Sequence, residues 1–511
     1  MVETIKDFYR DQCILVTGAS GFLGKVLIEK LLRDCPTLGT IYVLLRARGG
    51  QLPQSRLREL LESQIFDSIR SVNPSILTKV KSISGDITFE GLGLNYNDLS
   101  ELKENVSIVI HSAATIRFDE PIKRAIQINV TGTNRVLHLC HQLKNLKALV
   151  HVSTAYCNIE KHGIQEIVYP EPIPVSKVIQ ASEWMDDDLL SNIADQLYNG
   201  RPSSYHYTKA LAENLLHQEG NVLPIAIVRP SIITASWKDP IPGWIDNYNG
   251  PSGFLVSSGK GVLRTMHVHG EKICDMIPVD IVANTLIVSA WYVSTKANES
   301  PTVINCTSGS INPITWNTFQ NLSHNLLIKH PSNQLFRYPG ASFHSNRLVH
   351  TFFLLLEHYI PAFVVDLLFK FTGHKPILNQ VYQKVHRAMN ALEYFTTNEW
   401  TFRNENFVNL MKSLEPDDFT KFSLDVGSIN WCDYIENYIL GVRKYLLKED
   451  PATLPKARKN IKRLYLITQM IKVGFLFTVT YQSLHKQSSL HRSLDVVRKL
   501  SLRINNKPQL I

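Results

Sequence analysis

A tyrosine and a lysine spaced for carbonyl chemistry, Tyr205 and Lys209, open a strongly helical stretch of the chain. Residues four apart lie on one face of a helix, with Cβ atoms about 5–6 Å apart. A neighbouring ammonium is expected to lower the pKa of a phenol from its free value of about 10. The pattern therefore predicts that Tyr205 donates a proton to a carbonyl that is being reduced. The same spacing also occurs by chance in helices, and Tyr207 is expected on a different face.

Other polar groups that suit the same chemistry precede this pair. The apolar run 148–156 ends in hydroxyls, and Thr154 or Ser153 is predicted to hydrogen-bond and polarise the same carbonyl. Asn129 falls inside a helical stretch, where we expect it to hold a water that relays protons to Lys209. These residues need a fold that brings distant segments to one edge.

A glycine turn near the N-terminus predicts such a fold. Gly18, Gly21 and Gly24 follow a short apolar strand and precede a helical sequence. In a dinucleotide-binding turn the first glycine allows the tight turn, the second lets the backbone approach the pyrophosphate, and the third lets helix and strand pack closely. A plain structural turn is the alternative. The residues of this turn expected to contact a dinucleotide are Thr17, Gly18, Ser20, Gly21, Phe22, Leu23 and Gly24.

The second apolar run, 40–48, ends in two arginines. Arginine at this position can pair with the 2′-phosphate of NADP, so Arg46 and Arg48 predict NADPH as the cofactor unless they are merely solvated loop residues. The other positions expected to contact the cofactor lie at later strand ends, where Pro230 and Ile232 could equally be plain structural residues. They are Asp86 and Ile87, then Ser112, Ala113 and Ala114, and finally Lys209, Pro230 and Ile232.

Apolar strands alternate with helices over residues 12–235. This alternation predicts an α/β fold with a doubly wound parallel sheet, which binds its ligand beyond the carboxyl ends of the strands. A chain of 511 residues is too long for one ordinary domain. We expect an NADPH-binding domain over 10–300, a mainly helical domain over 301–450 and a basic tail over 451–511.

Composition narrows the functional class. The net charge of +9 favours a solvated face or an acidic partner, but the chain carries no recognisable nucleic-acid-binding motif, so nucleic acid is not expected. The seven cysteines are scattered without metal-ligand spacing, which suits a reducing compartment and predicts no metal. The charged N-terminus lacks the apolar core of a cleaved secretory signal, so the catalytic part is expected to face the cytosol.

Together the motifs resemble the alcohol-forming fatty acyl-CoA reductases, a family of the extended short-chain dehydrogenase/reductase superfamily with a Rossmann-type sheet. The likeness covers roughly residues 10–450, and Ser20 stands where family members often have threonine. Two of the motifs, 242–251 and 259–264, are typical of that family rather than of dehydrogenases in general. The others are 18–25, 111–120, 151–157, 205–213, 229–232, 373–376 and 395–400.

The resemblance implies a reaction. Long-chain acyl-CoA would be reduced by two NADPH to the primary alcohol, with release of CoA, through an aldehyde. Tyr205 and Lys209 would be the catalytic pair, with Thr154 favoured over Ser153 as the third group. Three alternatives stay open: release of the aldehyde as product, action of an extended short-chain dehydrogenase on another carbonyl or hydroxyl substrate, and a catalytically silent scaffold that binds NADPH or lipid.

Two apolar stretches predict contact with membrane lipid. Residues 348–371 carry two carboxylates and a proline, which favours a pair of amphipathic helices that line an acyl pocket or rest on a bilayer. Residues 464–484 are expected to form a membrane-associating helix, spanning or interfacial, with a soluble helix packed on the domain as the alternative. The organelle stays open between the endoplasmic reticulum and the peroxisome. The basic residues before the second stretch are Lys456, Arg458, Lys459, Lys462 and Arg463.

Overall fold

The computed structural model describes residues 4–220, 222–295 and 301–471, together with 473, 474, 477, 478, 480 and 481. Its strands are short, and most of them follow the apolar runs of the sequence. They are β1 Cys13–Thr17, β2 Ile41–Leu45, β3 Val80–Ser84, β4 Val106–His111, β5 Ala148–Val152, β6 Gly163–Ile164, β7 Ile225–Pro230, β8 Ile232–Thr234, β9 Thr265–His267, β10 Met276–Pro278, β11 Thr302–Cys306, β12 Ser342–His344 and β13 Thr401–Phe402.

Seven of these strands form one parallel sheet in the order β11-β7-β5-β4-β1-β2-β3. The order reverses between β1 and β4, which is where a doubly wound sheet opens its ligand crevice. The central strands are apolar and buried along their whole length, as expected when helices cover both faces of a parallel sheet. The predicted Rossmann-type α/β sheet is confirmed.

The sheet departs from the sequence-based expectation at one edge. The run 225–236 was expected as one strand but divides after Pro230, because the backbone leaves the β7–β11 ladder between Ser231 and Ile232. Ser231 donates to the Cys306 carbonyl, whereas Ile232 donates to the Asp275 carbonyl. The second half, β8, pairs with β10 instead. The seventh strand, β11, lies beyond the predicted boundary at residue 300 and pairs with β7.

The helices cover both faces of the sheet and make up most of the second half of the described chain. In order they are α1 Ile5–Phe8, α2 Phe22–Asp34, α3 Pro53–Leu61, α4 Asp67–Val72, α5 Tyr96–Asn105, α6 Ile122–Ile126, α7 Gly132–Cys140, α8 Val175–Trp184, α9 Asp187–Asn192, α10 Ala194–Tyr198, α11 Ser204–Glu219, α12 Pro251–Gly259, α13 Val279–Thr295, α14 Trp316–Lys329, α15 Arg347–Leu354, α16 Ile360–Phe371, α17 Leu378–Thr397, α18 Glu405–Lys412, α19 Pro416–Lys421 and α20 Trp431–Gly441.

The core helix α13 joins the two halves of the chain. It is buried along nearly its whole length and packs on α2 beneath the sheet. The Tyr9 hydroxyl donates to the Ile287 carbonyl of this helix at 3.0 Å. One hydrophobic core then continues from Ile14 of β1 to Ile439 of α20. The helical half is therefore fixed against the sheet, which lets both contribute to one site.

The stretch expected to form two amphipathic helices forms one. A π turn, Leu355–Tyr359, joins α15 and α16 into a continuous helix, Arg347–Phe371. The wider turn accommodates Pro361, which cannot donate a backbone hydrogen bond, so the proline does not break the helix. The prediction of a helix pair is thus wrong. Within the described part of the chain, this is the one helix long and apolar enough to cross a membrane by length and composition.

The tail is described in part. A helix runs over 454–471, and the described positions that follow are also helical. Positions 472, 475, 476, 479 and 482–484 of the predicted membrane-associating stretch lie outside the described residues. The five basic residues that precede it are all exposed.

Candidate active site

The predicted catalytic pair lies on the first turns of α11. The hydroxyl of Tyr205 lies beside that of Thr154, at the carboxyl end of β5. One turn further on, Lys209 Nζ donates to the Val152 carbonyl at 2.7 Å. The structure therefore brings together the phenol, the hydroxyl and the ammonium that the sequence predicted.

The electrostatics of the pair differ from the expectation. Burial raises the pKa of Tyr205 to about 12, and the neighbouring Thr154 hydroxyl lowers it by less. Burial also lowers the pKa of Lys209 to about 8, against the opposing charge of Glu213. The predicted lowering of the tyrosine pKa is wrong for the protein alone, because desolvation dominates and the ammonium is directed at a carbonyl. The phenol is kept protonated and able to donate.

The two neighbouring hydroxyls have different partners. Ser153 Oγ donates to Glu213 Oε1 at 2.5 Å, away from the phenol. Glu213 is itself paired with Arg229 at 2.6 Å, and both side chains are buried. Successive residues of an extended segment point to opposite sides, so only one of the two hydroxyls can face Tyr205. That residue is Thr154, and Ser153 helps to hold the buried ion pair.

Asn129 lies in a π turn, Gln127–Thr131, between α6 and α7. Its Nδ2 donates to the Thr115 carbonyl at 3.2 Å and to Thr208 Oγ1 at 3.0 Å. Its Oδ1 accepts from the Thr115 backbone N–H. Both amide hydrogens are thus used within the protein, next to the residue that precedes Lys209. The predicted proton relay through a water stays a prediction.

The glycine turn has the geometry that a dinucleotide site needs. Gly18 has φ of +75°, and a Cβ there would lie 2.6 Å from Ser112 Oγ. A Cβ on Gly24 would lie 2.5 Å from the Gly18 carbonyl oxygen, so the start of α2 packs directly on the turn. At Gly21 the nearest atom would be 3.2 Å away. Gly18 and Gly24 are therefore required by backbone conformation and close packing.

Three arginines gather at the end of β2. Arg46 and Arg48 are exposed, and the Arg46 guanidinium lies 3.4 Å from Asp86. Arg56 of α3 joins them: its guanidinium donates to the Arg46 carbonyl at 2.7 Å and to Ser20 Oγ at 3.1 Å. Burial, and then the charges of Arg48 and Arg46, hold the pKa of Arg56 below its usual value. The sequence prediction missed Arg56 because it lies in the insertion after β2.

The remaining predicted cofactor residues line the same edge of the sheet. Ser112 Oγ donates to the Thr17 carbonyl at 2.9 Å, and the Ala113 N–H donates to Thr17 Oγ1 at 3.2 Å, so these strand ends are locked together. Although partial burial opposes it, hydrogen bonds from Thr88 and Arg46 hold the pKa of Asp86 below its usual value. Asp86 therefore stays charged beside the arginines.

Some of the residues predicted to contact the cofactor also pack against other residues of the protein. Ile87 is buried, and a Cβ on Gly132 would lie 3.0 Å from its Cδ1. Phe22 stacks on Trp244 with ring centroids 5.3 Å apart. The other three, Ala114, Leu23 and Ile232, are half-buried, whereas Pro230 is buried at the end of β7.

An aromatic wall lies on one side of the phenol, and two of its rings, Phe118 and His206, contact Tyr205 directly. We define this wall as Phe118, Tyr156, His206, Phe395 and Trp400. Phe118 stacks on Tyr205 with centroids 5.7 Å apart, and Phe395 of α17 lies 5.6 Å from Phe118. Phe395 and Trp400 come from the helical half of the chain, so both halves build the site. Sequence reasoning placed Phe395 and Trp400 in a family motif but missed this contact.

Two families described as male sterility protein match the chain, over residues 16–286 and 357–449, and the first is an NAD-binding family. Fatty acyl-CoA reductase 1 of Rattus norvegicus is 43% identical over 472 residues, which cover 92% of this chain and 91% of the relative. Fatty acyl-CoA reductase 2 of Bos taurus is 39% identical over 493 residues, which cover 96% of each. The chain belongs to the fatty acyl-CoA reductase family. This reductase is therefore an oxidoreductase that uses a nicotinamide cofactor.

Solved structures support the fold of this reductase. The terminal R domain from the myxalamid biosynthetic pathway matches with a TM-score of 0.58 at 18% identity, covering 85% of this chain and 90% of that one. The reductase domain of a nonribosomal peptide synthetase from Mycobacterium tuberculosis matches with a TM-score of 0.54 at 17% identity, covering 86% and 92%. In the described ranges of the reductase, no group of three or more His, Cys, Asp or Glu residues could hold a metal ion.

Proposed function

We propose that this chain reduces long-chain acyl-CoA to the primary alcohol with NADPH and releases CoA. The observation that carries the proposal is the placement of Tyr205 beside Thr154 at the carboxyl edge of a dinucleotide-binding sheet, with Phe118 of the aromatic wall stacked on the phenol ring. The first reduction consumes one NADPH and one proton and yields aldehyde, CoA and NADP⁺. The second reduction consumes the aldehyde, a second NADPH and another proton, and yields the alcohol and NADP⁺.

The residues at the end of β2 favour NADPH over NADH. Arg46, Arg48 and Arg56 crowd three positive charges at the position where the 2′-phosphate of NADP lies in this fold. Gly21, which is exposed and has no side chain, lets the backbone of the turn approach the pyrophosphate. When bound, NADPH supplies the hydride. The protein positions the cofactor and substrate, donates the proton and supplies the positive charge around the 2′-phosphate.

The chemistry at the carbonyl follows from the hydroxyl pair. A thioester oxygen held by Tyr205 and Thr154 gains negative charge as hydride adds to the carbon, and both O–H groups can stabilise it. The tetrahedral adduct then collapses, the C–S bond breaks, and CoA leaves as the thiolate. In the second reduction Tyr205 donates its proton to the alkoxide. Lys209, held at the Val152 carbonyl, stabilises the phenolate that is left.

The aromatic wall supports the alcohol as product. An aldehyde formed beside Phe118 and Phe395 lies against apolar rings, where its chain gains by staying buried until the second reduction. The second candidate is an aldehyde-forming reductase, in which the aldehyde leaves after one step. The half-buried position of Phe118 on the loop between β4 and α6 is the feature that favours such an exit.

Product analysis tests the proposal. Purified full-length chain is given palmitoyl-CoA and excess NADPH, and the organic products, free CoA and NADPH oxidised are measured together. We expect hexadecanol, one CoA and two NADPH consumed for each alcohol. Aldehyde with one NADPH consumed would support the second candidate. Absence of turnover with any acyl-CoA, while NADPH still binds, would favour the scaffold.

We further propose the domain organisation predicted from the sequence, with the NADPH-binding unit over 10–300, the helical unit over 301–450 and the tail over 451–511, except that β11 of the second unit completes the sheet of the first. The exposed basic residues before 464 support attraction of the tail to anionic lipid. A catalytic unit facing the cytosol on the endoplasmic reticulum or the peroxisome suits an acyl-CoA substrate. Localisation of the tagged full chain, with protease protection, tests this placement.

A further inference from the structure

The long helix Arg347–Phe371, called the docking helix below, has one face fixed to the protein. The residues on this face recur every four positions, the spacing of one helical stripe. His358, Ala362 and Asp366 are buried, while two preceding members are half-buried. The five residues of the stripe are His350, Leu354, His358, Ala362 and Asp366.

The rest of the docking helix is an exposed apolar surface. Only 17% of its most apolar window is buried. A soluble protein seldom leaves a contiguous apolar surface of this size uncovered unless it meets a partner or a membrane. The large apolar side chains exposed on it are Leu348, Val349, Phe352, Leu355, Leu356, Tyr359, Ile360, Phe363, Val364, Leu367, Leu368, Phe369 and Phe371.

We propose that the docking helix lies in the plane of the membrane interface, with its exposed apolar face in lipid and the buried stripe on the protein. Three sets of contacts, made by the stripe and by its neighbour Glu357, argue against a helix that crosses the membrane. Asp366 accepts hydrogen bonds from the first three backbone N–H groups of the 377–379 segment, at 3.0, 2.9 and 2.9 Å. His358 Nε2 accepts from the Arg264 N–H at 2.9 Å. Glu357 lies 3.4 Å from the Arg264 guanidinium. A spanning helix would have to break all of them.

The charges around the docking helix match an anionic lipid surface. The carboxylates of the docking helix have partners within the protein. So does the carboxylate of Glu393, which lies 2.8 Å from His267. The exposed charges of the docking helix and of α17 are mainly positive, although Arg347 also lies 3.9 Å from Glu393 Oε1. A second copy of this chain placed symmetrically on the same face would bring these cations towards one another, whereas phosphate headgroups would neutralise them. The exposed cations are Arg347, Lys370, Lys375, Lys384 and Arg387.

The tail helix extends the same surface. Tyr465 contacts Tyr338 with ring centroids 5.3 Å apart, and Tyr338 lies beside the Arg264 guanidinium that also reaches Glu357. Beyond Tyr465 the described tail exposes Leu466, Ile467, Met470 and Ile471. Two apolar segments, each flanked by cations, are therefore linked through one small set of contacts. A bilayer can cover both at once.

The position of the docking helix also links lipid to the site. Helix α17 begins at Leu378, a few residues after the docking helix ends, and carries Phe395 of the aromatic wall near its other end. Seventeen helical steps between these residues span about 25 Å. Under the proposed function, α17 therefore connects the lipid-facing docking helix to the aromatic wall beside Tyr205.

Fluorescence depth measurements test the proposal without relying on activity. The exposed Cys432 is changed to Ser, and Phe363→Cys is labelled with an environment-sensitive fluorophore in the full-length chain. Vesicles of phosphatidylcholine and phosphatidylserine are then added. We expect a blue shift, and stronger quenching by a nitroxide near the headgroups than by one at the bilayer centre. No shift on adding vesicles would overturn the proposal.

Accessibility of the two helix ends separates an interfacial from a spanning helix. Ser345→Cys and His374→Cys, each in the Cys432→Ser background, are treated with a membrane-impermeant maleimide outside sealed vesicles. Equal labelling of both is expected, and protection of one end would show a spanning helix. A blue shift that depends on protein concentration without vesicles would show a second copy instead, and would also overturn the proposal.

A matched pair of variants tests the apolar face itself. Changing Phe352, Phe363 and Phe371 together to Ser is expected to weaken partitioning of the full chain to these vesicles by roughly tenfold or more. The control changes three equally exposed apolar residues elsewhere to Ser. Equal partitioning of both variants would contradict the proposal. The control residues are Val72, Tyr96 and Trp184.

Discussion

Arg56 offers a sharp test of the cofactor site, because its guanidinium is held in place by Ser20 and the Arg46 carbonyl before any cofactor binds. Replacing it by glutamine removes one charge from the cluster that is proposed to bind the 2′-phosphate. A hydrogen bond to a charged group contributes about 1.5–3 kcal/mol. For Arg56→Gln this corresponds to a loss of about 10- to 150-fold in kcat/KM for NADPH.

The assay compares NADPH with NADH at saturating acyl-CoA. Because NADH has no 2′-phosphate, its kcat/KM should change little in Arg56→Gln. The control is Arg58→Gln, on the same helix but exposed, which should alter neither value. An equal loss with both cofactors would refute the reasoning, since it would mean that Arg56 only supports the loop after β2. No loss with either would place the phosphate elsewhere.

Three further predictions concern the site itself. Thr154→Ala should lower kcat by about 10²–10³, as expected for loss of an oxyanion donor, whereas Ser153→Ala should mainly lower the melting temperature; similar kcat losses would contradict the assignment. Gly18→Ala should abolish NADPH binding, measured by fluorescence titration, because its Cβ would clash with a strand end. Gly50→Ala, at a similar φ of +79° with nothing within 4 Å, should bind normally. Burial lowers the pKa of Lys209 to about 8, so kcat should fall as pH rises through that value and the ammonium is lost; a rate that stays level well above it would contradict the role of Lys209.

The parts of the site that depend on local spacing could be predicted from the sequence. The glycine turn, the Tyr205 and Lys209 pair and the strand ends could all be read because each is a short motif with its own physical reason. The direction in which neighbouring side chains point could not be predicted from the sequence. Alternation along a strand shows that Ser153 and Thr154 point apart, but the buried Glu213 and Arg229 pair decides which of them faces the phenol.

Contacts between distant segments were the other limit. Phe395 reaches Phe118 through the packing of two halves of the chain, and Arg56 reaches Ser20 from an insertion, so neither contact leaves a trace in local sequence. The docking helix was expected to break because of Pro361. Instead a π turn, Leu355–Tyr359, keeps the helix continuous.

The most direct measurement of the central claim is product formation by Tyr205→Phe beside Tyr207→Phe. Both remove one phenolic oxygen from α11, but only Tyr205 lies beside Thr154 at the sheet edge, while Tyr207 lies in the core on another face of the helix. With palmitoyl-CoA and NADPH, the Tyr207 variant should make alcohol at close to the unmodified rate, and the Tyr205 variant almost none although NADPH still binds. Alcohol formation by Tyr205→Phe at an undiminished rate would contradict the account.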